Sequence, residues 1–344
     1  VRLVRLDEVL LALPKPPISA FGTCTLDAGD CLVLCAGFED RALEVLKRIR
    51  GGRDGFKALL ILYLPLIAEN KTSKISDALR DLGAQVTEIT YDRQNPSGFG
   101  AIAMEHLSRI EGKLAIDISA MSRLLIVQLL VALKGQDGAL ERSTILYTEA
   151  RDYPPSEAEV RRLLAERRDD PIQSIHLLSS GVFEITVVPE LSALSMTGEQ
   201  TRLVTFPSFN VEQLTALRAE LQPSRLVVAH GIPPKLSNAW RKDAIAALNH
   251  TSSLGAEEWE VSTLDYRETL DKLFELYNRH NERDRIAVCP TGSKMQAVAV
   301  GLFRAFLGDV QIVYPTPKRF YPENYTVGID ASHALDLRFF SQIK

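Results

Sequence analysis

A chain of 344 residues, 46% hydrophobic and 24% charged, has the composition of a globular protein long enough for two domains that each bury a core. Its 40 basic side chains stand against 44 acidic ones, 40 − 44 = −4, and this excludes the basic excess by which long nucleic acids are usually held. The 4 cysteines, Cys24, Cys31, Cys35 and Cys289, form no C-x-x-C pair and the 6 histidines no metal-binding pattern, so we expect reduced thiols in a cytoplasm, with no metal and no cofactor.

The opening segment is apolar, but Asp7 and Glu8 interrupt it before it reaches the length of a signal peptide core. From there the chain alternates. Short apolar runs at 31–35, 58–63, 85–91, 113–117 and 143–147 predict strands, and amphipathic runs at 41–50, 73–82, 99–110 and 122–134 predict helices. The apolar run 124–133 contains Gln128 and is too short to span a bilayer, which makes it a buried helix. Between 154 and 200 the rhythm changes. A charge-laced helix at 156–168 is followed by runs at 172–178 and 182–189, which flank Ser179-Ser180-Gly181 and predict a β-hairpin. The alternation then resumes, with strands at 202–206, 225–230, 258–264, 285–289 and 310–314 and helices at 211–221, 237–249, 267–280 and 293–306.

Strands alternating with helices predict an α/β fold of two doubly wound parallel-sheet domains, at 1–153 and 201–344, joined by a helix and hairpin connector at 154–200. The halves also share element order at a nearly constant spacing. Leu32-Val33-Leu34 and Leu203-Val204-Thr205 differ by 203 − 32 = 171, Asp117 and Cys289 by 289 − 117 = 172, and Tyr147 and Tyr314 by 314 − 147 = 167. An internal duplication accounts for this register.

In parallel sheets ligands sit beyond the carboxyl ends of strands, so the loops there carry the candidates. The strongest is Thr291-Gly292-Ser293-Lys294, a strand-to-helix turn that offers backbone N–H groups, the positive end of a helix dipole, hydroxyls and an ammonium. Its counterpart holds Ser119, Ser122 and Arg123, again a hydroxyl followed by a cation. The same serines serve equally as ordinary helix N-caps. Further candidates lie in neighbouring loops: Gly37, Phe38, Glu39 and Arg41 in the first half, and Ser208, Phe209, Asn210 and Lys318 in the second. Phe38 and Phe209 either stack on a base or staple a helix to the core. Asp117, Asp92 and Asp265 stand near strand ends as ribose ligands, bases or simple caps. Neither G-x-G-x-x-G nor a Walker motif is present, which excludes the usual dinucleotide enzymes and P-loop NTPases.

The Thr291–Met295 loop resembles the T-G-G-T-K loop of CARF domains, the CRISPR-associated Rossmann-fold sensors of cyclic oligoadenylates, and the paired arrangement is similar to that of SAVED domains. The first half departs from the pattern with Ser-Ala-Met-Ser-Arg, and Ser293 stands where the family often has Gly or Thr. The resemblance implies a nucleotide or cyclic oligonucleotide second messenger bound between the two halves, antiviral defence, a separate effector protein as partner and a possible homodimer. An alternative is a metal-independent phosphodiesterase like the ring nucleases. In it Lys294 and Arg123 stabilise the phosphorane, with Ser293, Ser122 or Asp117 assisting. A nucleoside or glycosyl hydrolase using Asp117 and Asp92 is a third reading.

Overall fold

The computed structural model describes residues 6–169, 179–193 and 200–341. Contacts divide the chain into two compact units. One holds Ala12–Asp152 and the stretch from Thr326 onward, and the other holds Tyr153–Tyr325 with the helix Leu6–Leu11.

In the first unit β1 (Cys31–Ala36), β2 (Phe56–Leu64), β3 (Ala84–Asp92), β4 (Leu114–Asp117) and β5 (Ser143–Thr148) form a parallel sheet. Their spatial order is β5-β4-β1-β2-β3. The connecting helices are α1 (Glu44–Arg48), α2 (Thr72–Asp81), α3 (Phe99–Leu107) and α4 (Arg123–Lys134). Every residue of β1 is buried, as a strand covered by helices on both faces requires. Helix α4 is the buried helix expected from its apolar run. Its Gln128 is also buried, and it accepts a hydrogen bond from Tyr91 Oη at 2.9 Å and donates one to Pro96 O at 2.7 Å.

In the second unit β6 (Gln200–Thr205), β7 (Arg225–Ile232), β8 (Glu257–Ser262), β9 (Asp284–Cys289) and β10 (Gln311–Ile312) form a parallel sheet in the order β8-β7-β6-β9-β10. Helices α5 (Val211–Leu221), α6 (Trp240–Asn249), α7 (Tyr266–His280) and α8 (Lys294–Phe306) connect these strands. Phe303 of α8 packs edge-on against Phe274 and Tyr277 of α7, with centroids 5.6 and 6.2 Å away, and anchors the core of this unit. Both sheets therefore have the Rossmann-like order 3-2-1-4-5, with the switch point between their first and fourth strands. Their ladders also agree in register: Leu32 pairs with Ala115 in one sheet and Leu203 with Ala287 in the other.

Several elements differ from expectation. The helix expected at 41–50 is a 3₁₀ turn, Asp40–Leu43, followed by the short α1, because Ile49–Gly51 leaves it to pair in parallel with Cys24–Leu26. Of the expected hairpin, the run 172–178 lies outside the described residues. The strand Ser179–Thr186 pairs antiparallel with Tyr314–Phe320. Lys318, expected in a loop, thus lies on a strand, which tolerates Pro315 and Pro317 because its pair is only two-stranded and shifts register at Thr316/Pro317.

Sequence reading placed 326–344 with the second domain and 154–200 between domains. By contacts, the strand Ser332–Asp336 adds to the first sheet antiparallel to β5, and helix Glu157–Asp169 and strand Ser179–Thr186 lie in the second unit. Among the described residues no helix is long and apolar enough to cross a membrane. None of the four cysteines, all among the described residues, is in a disulfide, and burial pushes the Cys31 thiol up to about 12, away from reactivity.

Candidate functional site

At the switch point of the first sheet the loop after β4 is held from three sides. Asp117, 2% exposed, accepts hydrogen bonds from Ser119 N at 3.1 Å and Ser119 Oγ at 2.5 Å. Ser119 Oγ in turn accepts from Thr148 N at 2.9 Å. Ser122 caps α4 by accepting from Leu125 N at 3.3 Å, and its own N–H donates to Tyr63 Oη. Tyr63 Oη donates to Ala120 O at 3.3 Å, and the Arg93 guanidinium lies 4.1 Å from the Tyr63 ring centroid. Arg123 follows as the first residue of α4, half-buried at the positive end of a twelve-residue helix. Tyr63 is a residue that sequence reading missed. A single oxygen there orders the turn, so Tyr63→Phe is expected to cost about 1–3 kcal/mol in urea unfolding by leaving Ser122 N and Ala120 O unpaired.

The loop after β1 lies beside this turn. A Cβ at Gly37 would meet the Ala120 Cβ at 2.8 Å, so glycine is what lets the two loops touch. Glu39 and Arg41, expected among the ligand-facing residues, are instead 8% and 5% exposed and bond to each other, with Arg41 Nη2 2.6 Å from Glu39 Oε2. Arg41 Nη1 also donates to Thr148 O at 3.2 Å and Tyr147 Oη at 3.3 Å, while Glu39 accepts from Thr326 Oγ1 at 2.6 Å. These charges brace the loop against β5 and the returning chain. Asp40 accepts from Lys71 Nζ at 3.0 Å and Gly328 N at 3.2 Å, and the Lys71 hydrogen bond holds its carboxyl below the usual range. Phe38 is half-buried, and its carbonyl takes a hydrogen bond from Lys71 Nζ.

The second sheet builds its turn differently. Thr291 Oγ1 donates to Phe206 O at 2.8 Å. A Cβ at Gly292 would meet Gln296 Oε1 at 2.2 Å and the Phe206 Cβ at 3.0 Å, so a larger residue here would have to displace the Gln296 side chain. Ser293 and Gln296 form a capping box: Ser293 Oγ accepts from Gln296 N at 3.1 Å and Ser293 N donates to Gln296 Oε1 at 2.8 Å. Ser293 Oγ also donates to Thr263 O at 2.6 Å. Lys294, half-buried, is the first residue of α8, as Arg123 is of α4. Gln296, missed in the sequence although S-x-x-Q is a capping signature, is the hub of the turn.

Other candidates have structural places. Phe209 is buried against Val160, Ala244 and Leu248, with the Arg241 guanidinium 4.6 Å from its ring, so it staples the core and does not face a ligand. Ser208 Oγ accepts from Asn210 N at 3.1 Å, and Asn210 Oδ1 accepts from Ser179 N at 3.1 Å, which ties this loop to the strand Ser179–Thr186. Lys318 stands exposed on the strand Tyr314–Phe320, its stem against Gly181. Tyr147 and Tyr314 are buried at the ends of their strands. Asp92 accepts from Gln94 N at 2.9 Å. Asp265 caps α7 and grips Arg267 at 2.6 Å, and that hydrogen bond holds its carboxyl below the usual range.

The two turns thus present the same chemistry by different bracing: a capped helix N-terminus with a cation at its first position, beside the switch point of each sheet. Among the hydroxyls, those of Thr291 and Ser293 donate their protons to backbone carbonyls and that of Ser119 to Asp117. The hydroxyls of Thr291 and Ser293 face carbonyls, which cannot take their protons, so they shape a binding surface and are poor nucleophiles, whereas Ser119 has the Asp117 carboxylate beside it. Among the described residues no three His, Cys, Asp or Glu side chains stand ready as a metal cage.

No family model matches this sequence, and no curated protein matches it either. Among solved structures, a type III CRISPR defence DNA nuclease activated by cyclic oligoadenylate is similar over 85% of this chain and 65% of its own, at 11% identity and a TM-score of 0.46. A nonribosomal peptide synthetase module with adenylation, ketoreductase and pseudo-Asub domains aligns with 80% of this chain and 28% of its own, at 11% identity and a TM-score of 0.18. The chain therefore spans less than two thirds of either protein.

Proposed function

We propose that this chain is a nucleotide-sensing module whose two helix-start turns, Ser119–Arg123 and Thr291–Lys294, take the phosphates of a cyclic or linear oligonucleotide second messenger. The observation that carries this reading is the recurrence of a serine-capped helix N-terminus with a cation at its first helical position, after the fourth strand of each sheet. Oriented N–H groups, a helix dipole and a fixed cation favour a phosphate at both places. The shared strand order and ladder register support descent of the halves from one duplicated domain. With the CARF-like loop, the same reading assigns the module to anti-phage or CRISPR-linked defence, acting on a separate effector.

Binding without cleavage is the form we favour, because the hydroxyls of Ser293 and Thr291 in the loop closest to the CARF pattern donate to backbone carbonyls, which cannot act as bases. Incubating the protein with cyclic and linear oligonucleotides, then separating bound, free and cleaved species by chromatography, tests this. Retention of an intact oligonucleotide is expected. Turnover would move the assignment to a phosphodiesterase, and retention of none would reject the nucleotide reading.

A further inference from the structure

A second candidate site lies in the Tyr153–Tyr325 unit, within a cleft of about 440 Å³ between α6 and the edge strand β8. His230 of β7 lines it. This side chain is 5% exposed, and among the described residues neither ring nitrogen has a hydrogen-bond partner, an uncommon and costly state for a buried imidazole. Its Nε2 lies 3.3 Å from Glu258 Oε2, outside hydrogen-bond geometry. A tetrahedral ion bonded to an imidazole nitrogen and a carboxylate oxygen at about 2.0–2.1 Å holds the two atoms about 3.3 Å apart.

The surroundings select a cation. Asp243, Glu258 and Glu260 line the cleft against the single ammonium of Lys242. The carboxyl end of α6 also reaches it through Ala246, Ala247 and His250, bringing the negative end of a helix dipole. An imidazole ligand favours zinc, cobalt or nickel over magnesium or calcium. A third donor is close: Glu260 pairs directly with His230 across the ladder, and its carboxylate now holds Lys242 Nζ at 2.6 Å.

We propose that this cleft binds one divalent cation of the zinc type through His230 Nε2 and Glu258, and that Glu260 joins as it exchanges Lys242 for the ion. Since no trio of ligands is already converged among the described residues, the ion has to displace the ammonium to complete its set. Lys242 is therefore a competitor whose removal tightens the site.

The test is calorimetric titration of the chelator-stripped protein with Zn²⁺, the visible spectrum of its Co²⁺ form, and Mg²⁺ as control. One equivalent of Zn²⁺ and a tetrahedral Co²⁺ spectrum are expected, with no response to Mg²⁺. Affinity should fall about tenfold or more in His230→Gln and in Glu258→Gln, and rise in Lys242→Met. Glu258 is exposed on an edge strand, so its variant folds even if that of His230 does not. Absence of Zn²⁺ uptake, or uptake indifferent to the Glu258 substitution, would overturn the assignment.

Discussion

Arg41→Ala is expected to lower the unfolding free energy by about 3–5 kcal/mol, because it breaks a buried ion pair by removing one partner. Glu39 is 8% exposed, and Arg41 supplies its two guanidinium hydrogen bonds, at 2.6 and 2.9 Å. The Thr326 hydroxyl also donates to it, at 2.6 Å. The substitution also strips Thr148 O and Tyr147 Oη of a donor. Replacing both partners at once, as Glu39→Leu with Arg41→Met, removes the charges together and should recover most of the loss. Urea unfolding of the three proteins measures this. A single variant as stable as the parent would show that the pair is solvated in solution.

The second large effect concerns binding. Lys294→Ala and Arg123→Ala each remove a cation at the first position of a helix that begins beside a switch point. Each is expected to weaken oligonucleotide binding by about 1.5–3 kcal/mol through loss of a charge-assisted phosphate contact. Neither should alter the caps, because Ser122 and Ser293 bond to Leu125 N and Gln296 N and not to the cations. Affinity should therefore fall by more than stability does. A loss of stability equal to the loss of affinity would mean that these cations hold the turns instead.

Periodicity made the two sheets legible. The apolar run at 31–35 and the helix-spaced leucines at 124–133 can be buried in only one way, and both are buried so. The helix starts were legible too, since Ser122 and Ser293 stand where a cap is needed. What escaped notice depends on distant partners. The strand Ser332–Asp336 is too short and too polar to declare itself, and it becomes a strand only because β5 offers it an edge 184 residues away, as the bond between Thr148 Oγ1 and Ser332 Oγ records. Phe209 was ambiguous because a staple and a stacking platform have the same spacing, and only the helix Glu157–Asp169, through Val160, decides between them. Glu39 and Arg41 looked like loop charges free to meet a ligand. Their burial follows from Thr148, Tyr147 and Thr326, none of which is near in sequence.

In the proposed function two matched turns hold the phosphates of one class of ligand. Equilibrium binding of labelled cyclic oligoadenylates, with linear and non-adenine oligonucleotides alongside, tests it by comparing the parent with Arg123→Ala combined with Lys294→Ala. The parent is expected to retain at least one of these oligonucleotides, and the double variant, still folded, to retain none at the same concentration. Equal retention by the two proteins, or no retention by the parent, would contradict it.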